Sequence, residues 1–215
     1  MPSNFRLLPL AVLAASPAWA AGGSVAGNVK AGADSPFSWV VYLERAPSLS
    51  AAPASAPRKE IVQQDIKFKP EVAYVPLGAT LDFPNHDKFY HNAFSASPGN
   101  QFDLGLYRGG VTKSVVVREP GELDIYCNIH PDMYARVLVL PSPFYAEVAS
   151  DGSYQIKDIP PGKYTLVAWS PRHQPARQEV RIEAGRQTAA SFSLKARPFP
   201  ERHMNKNGEP YGRYK

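Results

Sequence analysis

Residues 121–139 read GELDIYCNIHPDMYARVLV, and the rest of the chain is organised around the middle of that stretch. Residues 123–126 (LDIY) and 134–140 (YARVLVL) alternate as strands do, so CNIHPDM is a tight loop joining two strands. Within the loop, Cys127, His130 and Met133 set a thiolate donor, an imidazole and a thioether at three-residue intervals. A loop this short cannot scatter its side chains, and three donors of graded softness must crowd into one small volume. A copper ion is the natural occupant. Two histidines and one cysteine in a trigonal set, with a long and weak axial methionine, make the donor set of a blue-copper electron-transfer site.

That set needs a second histidine. The chain has five: His86, His91, His130, His173 and His203. Residues 81–95 hold two of them between strand-like runs. His91 is favoured over His86, because Asn92 follows it and a strand over residues 93–96 begins there. The two lie five residues apart in one loop, so both cannot easily join a site of this kind, and Asn85-His86-Asp87 reads more simply as turn residues on a rim. Each donor has a plainer reading when taken alone. A strand cysteine is usually a small buried hydrophobe, and a methionine is usually core. Together they argue otherwise, since the only internal methionine besides Met204 falls at the ligand spacing. Zinc is the rival metal, but a structural zinc site closes with four Cys/His ligands and a second cysteine-rich knuckle, which this sequence lacks.

A His-Asn pair opening one strand, followed by Cys-x2-His-x2-Met closing the sandwich, resembles the cupredoxins, specifically the plastocyanin and amicyanin type. The block FPNHDKFYHNAFSAS (83–97), FDLGLYRGG (102–110) and PGELDIYCNIHPDM (120–133) resembles proteins loosely called methylamine-utilisation or plastocyanin-like. The resemblance covers residues 60–140 closely and the flanks more weakly. It implies one type 1 copper held by His91, Cys127, His130 and Met133. It also implies that Asn92 hydrogen-bonds across to the cysteine loop, and that His130 serves as an electron port through an apolar patch with Pro131 and Phe89.

Residues 1–20 read as an export signal: Arg6 supplies the positive start, residues 7–15 the apolar run, and Ala18-Trp19-Ala20 the small-x-small cleavage site. The apolar run is too short for a membrane span, no later stretch qualifies, and no cysteine follows the signal to carry a lipid anchor. A periplasmic protein is therefore expected. That compartment is oxidising, so one unpaired cysteine is a liability unless it is buried or coordinated. The remaining ~195 residues suit one large or two small domains. With 22 Pro and 15 Gly among β-branched and aromatic segments, and little amphipathic helical period, they point to an all-β chain. The formal charge of +5 is modest, and an exported chain without an aromatic-basic platform is not expected to bind nucleic acid.

Residues 23–30 and 38–44 read as strands, and residues 46–58 as a Pro/Ala/Ser-rich loop. Further strands are predicted over residues 60–68, 69–75, 78–83, 101–107 and 111–118. On this reading residues 21–141 form one Greek-key cupredoxin sandwich with the metal at one end. Pro141-Ser142-Pro143 marks a boundary. Residues 142–195 then alternate as five strands (144–149, 152–156, 163–169, 178–182, 188–194), and DGSYQIKDIPPGKYTLVAW resembles the small transthyretin-like sandwich found beside carboxypeptidases. Those modules are mostly structural. Trp169 reads as core, His173 as an exposed loop residue, and residues 196–215 as a solvated basic tail. The function implied is a one-electron carrier between redox partner proteins of the periplasm. The alternatives are a copper-binding or copper-delivery protein outside any redox circuit, and an accessory β-protein that binds a partner. No convergent catalytic set stands out, so no enzyme is expected.

Overall fold

A computed structural model describes residues 22–30, 39–44, 57–197 and 206–207. The export signal, the bulk of the Pro/Ala/Ser-rich stretch, His203 and most of the basic tail lie outside the described residues. The described chain is all-β. Its strands are β1 (Gly23–Lys30), β2 (Val40–Leu43), β3 (Arg58–Glu60), β4 (Val62–Gln63), β5 (Phe68–Lys69), β6 (Val72–Pro76), β7 (Thr80–Pro84), β8 (Phe94–Ser95), β9 (Phe102–Asp103), β10 (Thr112–Val116), β11 (Gly121–Tyr126), β12 (Tyr134–Leu140), β13 (Tyr145–Glu147), β14 (Ser153–Ile159), β15 (Gly162–Trp169), β16 (Ala176–Ile182), β17 (Gln187–Ala189) and β18 (Phe192–Ser193). Among the described residues no helix is long and apolar enough to cross a membrane.

Four main sheets stack with three apolar layers between them. The first sandwich pairs the sheet β10-β7-β3 with the sheet β6-β12-β11-β8-β9. Its core takes Leu81 and Phe83 from one side and Ala73, Val75, Leu123, Ile125, Val137 and Val139 from the other. The second sandwich pairs the sheet β13-β2-β15-β16 with β14-β1-β17, and β18 continues along β1. Its core holds Val25, Val41, Leu43, Ile156, Leu166 and Phe192.

The third apolar layer joins the two sandwiches. Tyr74 of β6 and Leu138 and Leu140 of β12 meet Val40 and Tyr42 of β2 and Val167 and Trp169 of β15. This explains a feature of the sequence. VVYL, ARVLVL and LVAW are nearly continuous apolar runs, as expected of strands covered on both faces rather than one. In β12 the odd residues 135, 137 and 139 face the first core, while Leu138 and Leu140 face the second sandwich. Trp169 packs edge-on to Tyr74, with centroids 6.0 Å apart at 87°, and its indole N–H donates to Glu122 Oε1 at 2.8 Å.

The strand pairing differs from the sequence reading in one respect. The sequence pattern groups all of residues 21–141 in one sandwich, yet β1 pairs with β14 and with β17 and β18, and β2 pairs with β13 and β15. The first sandwich therefore spans β3 to β12 and interrupts the second, which is assembled from both sides of that insertion. The junction is stitched: Ser142 Oγ donates to the Leu43 carbonyl at 2.9 Å, and Leu43 N–H donates to the Phe144 carbonyl at 3.1 Å. The reason for the difference is that alternation reports that a segment is a strand and which face is buried. It does not report the partner, because backbone hydrogen bonds carry no side-chain label. The single strand predicted over residues 60–68 is also broken, into β3, β4 and β5, with Asp65 and Ile66 both at positive φ (57° and 55°) in the turn between β4 and β5.

Truncating Trp169 removes the largest fully buried side chain, one that packs between the sandwiches. Trp169→Ala is expected to destabilise the protein by about 3–5 kcal/mol, measured by urea denaturation. A loss below about 1 kcal/mol, within the range of surface substitutions, would show that the inter-sandwich layer contributes little.

Candidate metal centre

The β11–β12 hairpin and the segment between β7 and β9 bring the predicted donors to one place. β11 and β12 pair in register from Gly121↔Val139 to Tyr126↔Tyr134, so the ladder closes directly onto the loop. Inside the loop, Cys127 N–H donates to the Met133 carbonyl at 3.3 Å and Met133 N–H to the His130 carbonyl at 3.1 Å. Across from it, His91 is held by a two-way backbone bridge to Tyr107: His91 N–H donates to the Tyr107 carbonyl at 3.1 Å, and Tyr107 N–H to the His91 carbonyl at 2.9 Å. Tyr107 is itself anchored in the core, its hydroxyl donating to the Phe83 carbonyl at 3.0 Å and meeting the Gln63 amide.

His91, Cys127 and His130 converge. One ligand atom from each lies within 4.8 Å of the others. His91 Nδ1 is 3.0 Å from His130 Nδ1, and Cys127 Sγ is 3.7 Å from His130 Nδ1. His91 and Cys127 are fully buried, while His130 is partly open at the loop. Met133 is fully buried in the same core cluster as Cys127. His86, the competitor, is exposed and uses its backbone N–H on the Gln63 carbonyl at 2.8 Å. His173 stands in the second sandwich and is not the exposed residue its loop suggested. It is buried, its Nδ1 lies 3.2 Å from Ser170 Oγ, and it meets Trp39 edge-on.

The electrostatics favour an anionic sulfur beside one cationic ring. Burial pushes the Cys127 thiol up, but hydrogen bonding from His91 and from the backbone N–H groups of Asn92, Ile129 and His130 outweighs it and leaves the thiol below its ordinary value. Burial lowers His91, yet Cys127 and Asp87 more than reverse this and its pKa is raised. His130 is lowered, first by burial and then by the charge of His91. A buried, acidified thiol thus faces two imidazole nitrogens, a donor set that could hold a metal ion.

A model of the carboxypeptidase regulatory-like domain family matches residues 131–195, which takes in β12 of the first sandwich and β13 to β18 of the second. No curated protein matches the chain. Among solved structures, the copper-containing nitrite reductase (NirK) of Thermus scotoductus SA-01 is 22% identical over 46% of this chain and 26% of that one, with a TM-score of 0.39. A reduced amicyanin variant is 19% identical over 40% of this chain and 84% of that one, with a TM-score of 0.37. The purple cupredoxin of Nitrosopumilus maritimus is 22% identical over 39% and 98%, with a TM-score of 0.33. The chain thus spans only 26% of the nitrite reductase. The carboxypeptidase regulatory-like match falls on the part of the chain that the sequence resemblance likens to a transthyretin-like module.

Around the three donors runs a polar network that sequence reading found only in part. Asn92 Oδ1 accepts from Asn128 N–H at 2.6 Å, tying the residue after His91 to the residue after Cys127. Its amide donates to Asp103 Oδ1 at 3.0 Å, which also accepts from Gly105 N–H at 2.9 Å. Lys206 reaches in from near the C-terminus, its ammonium 2.7 Å from Asp103 Oδ2 and its backbone N–H donating to Asn128 Oδ1 at 3.1 Å. Asn92 was legible as the partner of a ligand histidine. Asp103 and Lys206 were not, since their contacts span 11 and 103 residues.

Burial pushes the Asp103 carboxyl up, but Lys206, Gly105 N–H and Asn92 outweigh it and hold it below the usual carboxylate range. A folded pKa that is depressed stabilises the protein above the unfolded carboxylate value, and that contribution is lost as pH falls through the folded one. Asp103→Asn is expected to lower stability at neutral pH and to flatten its dependence over that acidic window, read from urea midpoints at stepped pH.

Proposed function

We propose that the chain is a periplasmic type 1 copper protein that carries single electrons between redox partner proteins. The observation that carries this reading is the convergence of His91, Cys127 and His130 at the end of a β-sandwich, with Met133 on the same loop. The donors fit the metal. Separations of 3.0 and 3.7 Å suit a nitrogen and sulfur set in which each atom reaches one ion at about 2.0–2.3 Å. One thiolate and two imidazoles suit copper by softness, and the fourth Cys or His that closes a structural zinc site is missing from the cluster.

Copper bound there supplies one-electron chemistry by alternating between Cu(I) and Cu(II). The protein's part is to present one geometry to both states. The β11–β12 ladder holds the two ends of the loop, and the Asn92–Asn128 bond fixes the loop against the His91 segment, so the donors have little freedom to rearrange. Full burial of Cys127 and His91 keeps water from the thiolate side. His130, partly open beside exposed Pro131, is the ring through which a partner would couple. Three of the exposed large hydrophobics, Phe89 (57%), Tyr90 (59%) and Leu106 (56%), lie on the segments that flank His91 and Tyr107. Apolar side chains gathered at one end of a sandwich suit brief docking of a redox partner.

Titration of the purified protein with Cu(II) is expected to give an intense visible thiolate-to-copper band that bleaches with ascorbate. Copper at 100 times its dissociation constant is expected to add about 2.7 kcal/mol of stability. Cys127→Ala abolishes the band, His91→Ala removes or shifts it, and His86→Ala leaves it unchanged. A colourless complex, or zinc bound as tightly as copper, would overturn the redox reading.

A further inference from the structure

Four residues before the favoured histidine, Asp87 ends the sequence Asn85-His86-Asp87, which has the composition of a plain surface turn, and its carboxylate plays no part in the donor set described above. The structure puts that carboxylate against the buried back of His91. Asp87 Oδ2 lies 2.8 Å from His91 Nε2, while His91 Nδ1 points the other way, to His130 Nδ1. The pair is enclosed: the His91 side chain is 0% exposed and that of Asp87 only 11%.

The carboxylate is also fixed by two backbone donors. Asp65 N–H donates to Oδ1 at 2.8 Å and Ile66 N–H donates to Oδ2 at 3.0 Å. Both donors sit at positive φ, the conformation that turns two successive N–H groups toward one anion. The Asp87 backbone is tied in turn, its N–H donating to Asn85 Oδ1 at 3.0 Å, and the Asn85 amide bonds the carbonyls of Phe89 (2.9 Å) and Tyr107 (3.2 Å). A turn between β4 and β5 thus exists in a strained shape that orients an acid onto one face of one imidazole. A surface ion pair would need none of this. With two backbone N–H donors and one ring nitrogen on it, the carboxylate is placed as an acceptor.

We propose that Asp87 is a positioning residue that holds His91 as the Nε2–H tautomer, leaves its Nδ1 lone pair for the metal, and through its negative charge favours Cu(II) over Cu(I). This rests on the copper reading above. The physical basis is that a ligating imidazole is oriented, and made more basic, by whatever accepts its other N–H, and a full carboxylate does more than a neutral carbonyl. Asp87→Asn keeps an acceptor oxygen in place and removes the charge, while Asp87→Ala removes both.

The test compares wild type, Asp87→Asn and Asp87→Ala in two measurements. In the copper-loaded proteins, the midpoint potential is expected to rise in both variants, and the copper dissociation constant of Asp87→Ala to rise by about 10–100-fold. In the metal-free proteins at alkaline pH, where His91 is neutral, nitrogen-15 NMR is expected to show the ring proton on Nε2 in wild type and a mixture of tautomers in Asp87→Ala. A blue wild type whose folded variants keep its potential and affinity would overturn the inference, as would a wild-type proton on Nδ1. A wild type that never turns blue would instead overturn the copper reading, and the metal-free NMR would then decide the role of Asp87 by itself.

Discussion

A seven-residue connection can hold donors around one point only if the strands on both sides of it cannot shift. That constraint is met by the β11–β12 hairpin, paired without interruption from Gly121↔Val139 to Tyr126↔Tyr134. β11 contributes Leu123 and Ile125 to the first core, and β12 contributes residues to two cores at once. A slip of one residue in this register would turn Leu138 and Leu140 into the first core and expel Val137 and Val139. It would also carry Cys127 away from His91. The position of the thiolate is therefore set by aliphatic packing many residues from it.

The second sandwich enters the same argument through β12. Because Tyr74, Leu138 and Leu140 are covered by Val40, Tyr42, Val167 and Trp169, the sheet bearing the donor loop is not free on its outer face. Charge reinforces this contact. Arg136, only 5% exposed, pairs with Asp124 at 2.6 Å and with Glu122 at 3.0 Å. Glu122 also meets Trp169 and Arg197 of the second sandwich. Burial would lower the Arg136 guanidinium, but the hydrogen bonds it donates to Asp124 and the nearby negative charges outweigh that, so the buried cation remains charged. The second sandwich thus covers the outer face of the sheet that carries the donor loop.

At the proposed copper site the donor segments are held by contacts within the protein. Asn92 links the two ligand segments, Tyr107 brackets His91 through its backbone, and Asp87 occupies the back of the ring. Each of these partners is itself held, by Asp103, by Phe83 and Gln63, and by the turn at Asp65–Ile66 respectively. A donor set fixed in this way would offer a bound metal little room to impose its own preferred coordination, as the proposed one-electron role requires.

The sequence by itself determined the all-β class, most strand positions after residue 110, and the segments carrying His91, Cys127, His130 and Met133. Those features are local: a period of two, turn residues at Ser150-Asp151-Gly152 and Pro160-Pro161-Gly162, and soft donors at close spacing. Asn92 was legible for the same reason, being adjacent to His91. Only the tertiary structure decided that β1 and β2 complete the second sandwich, that His173 is buried, and that Asp87, Asp103 and Lys206 converge on the site. Strand pairing joins sequence-blind backbone groups, and a carboxylate in a polar turn reads the same whether it faces water or a ring nitrogen. Which of these occurs is settled by non-local packing, and only the folded chain shows it.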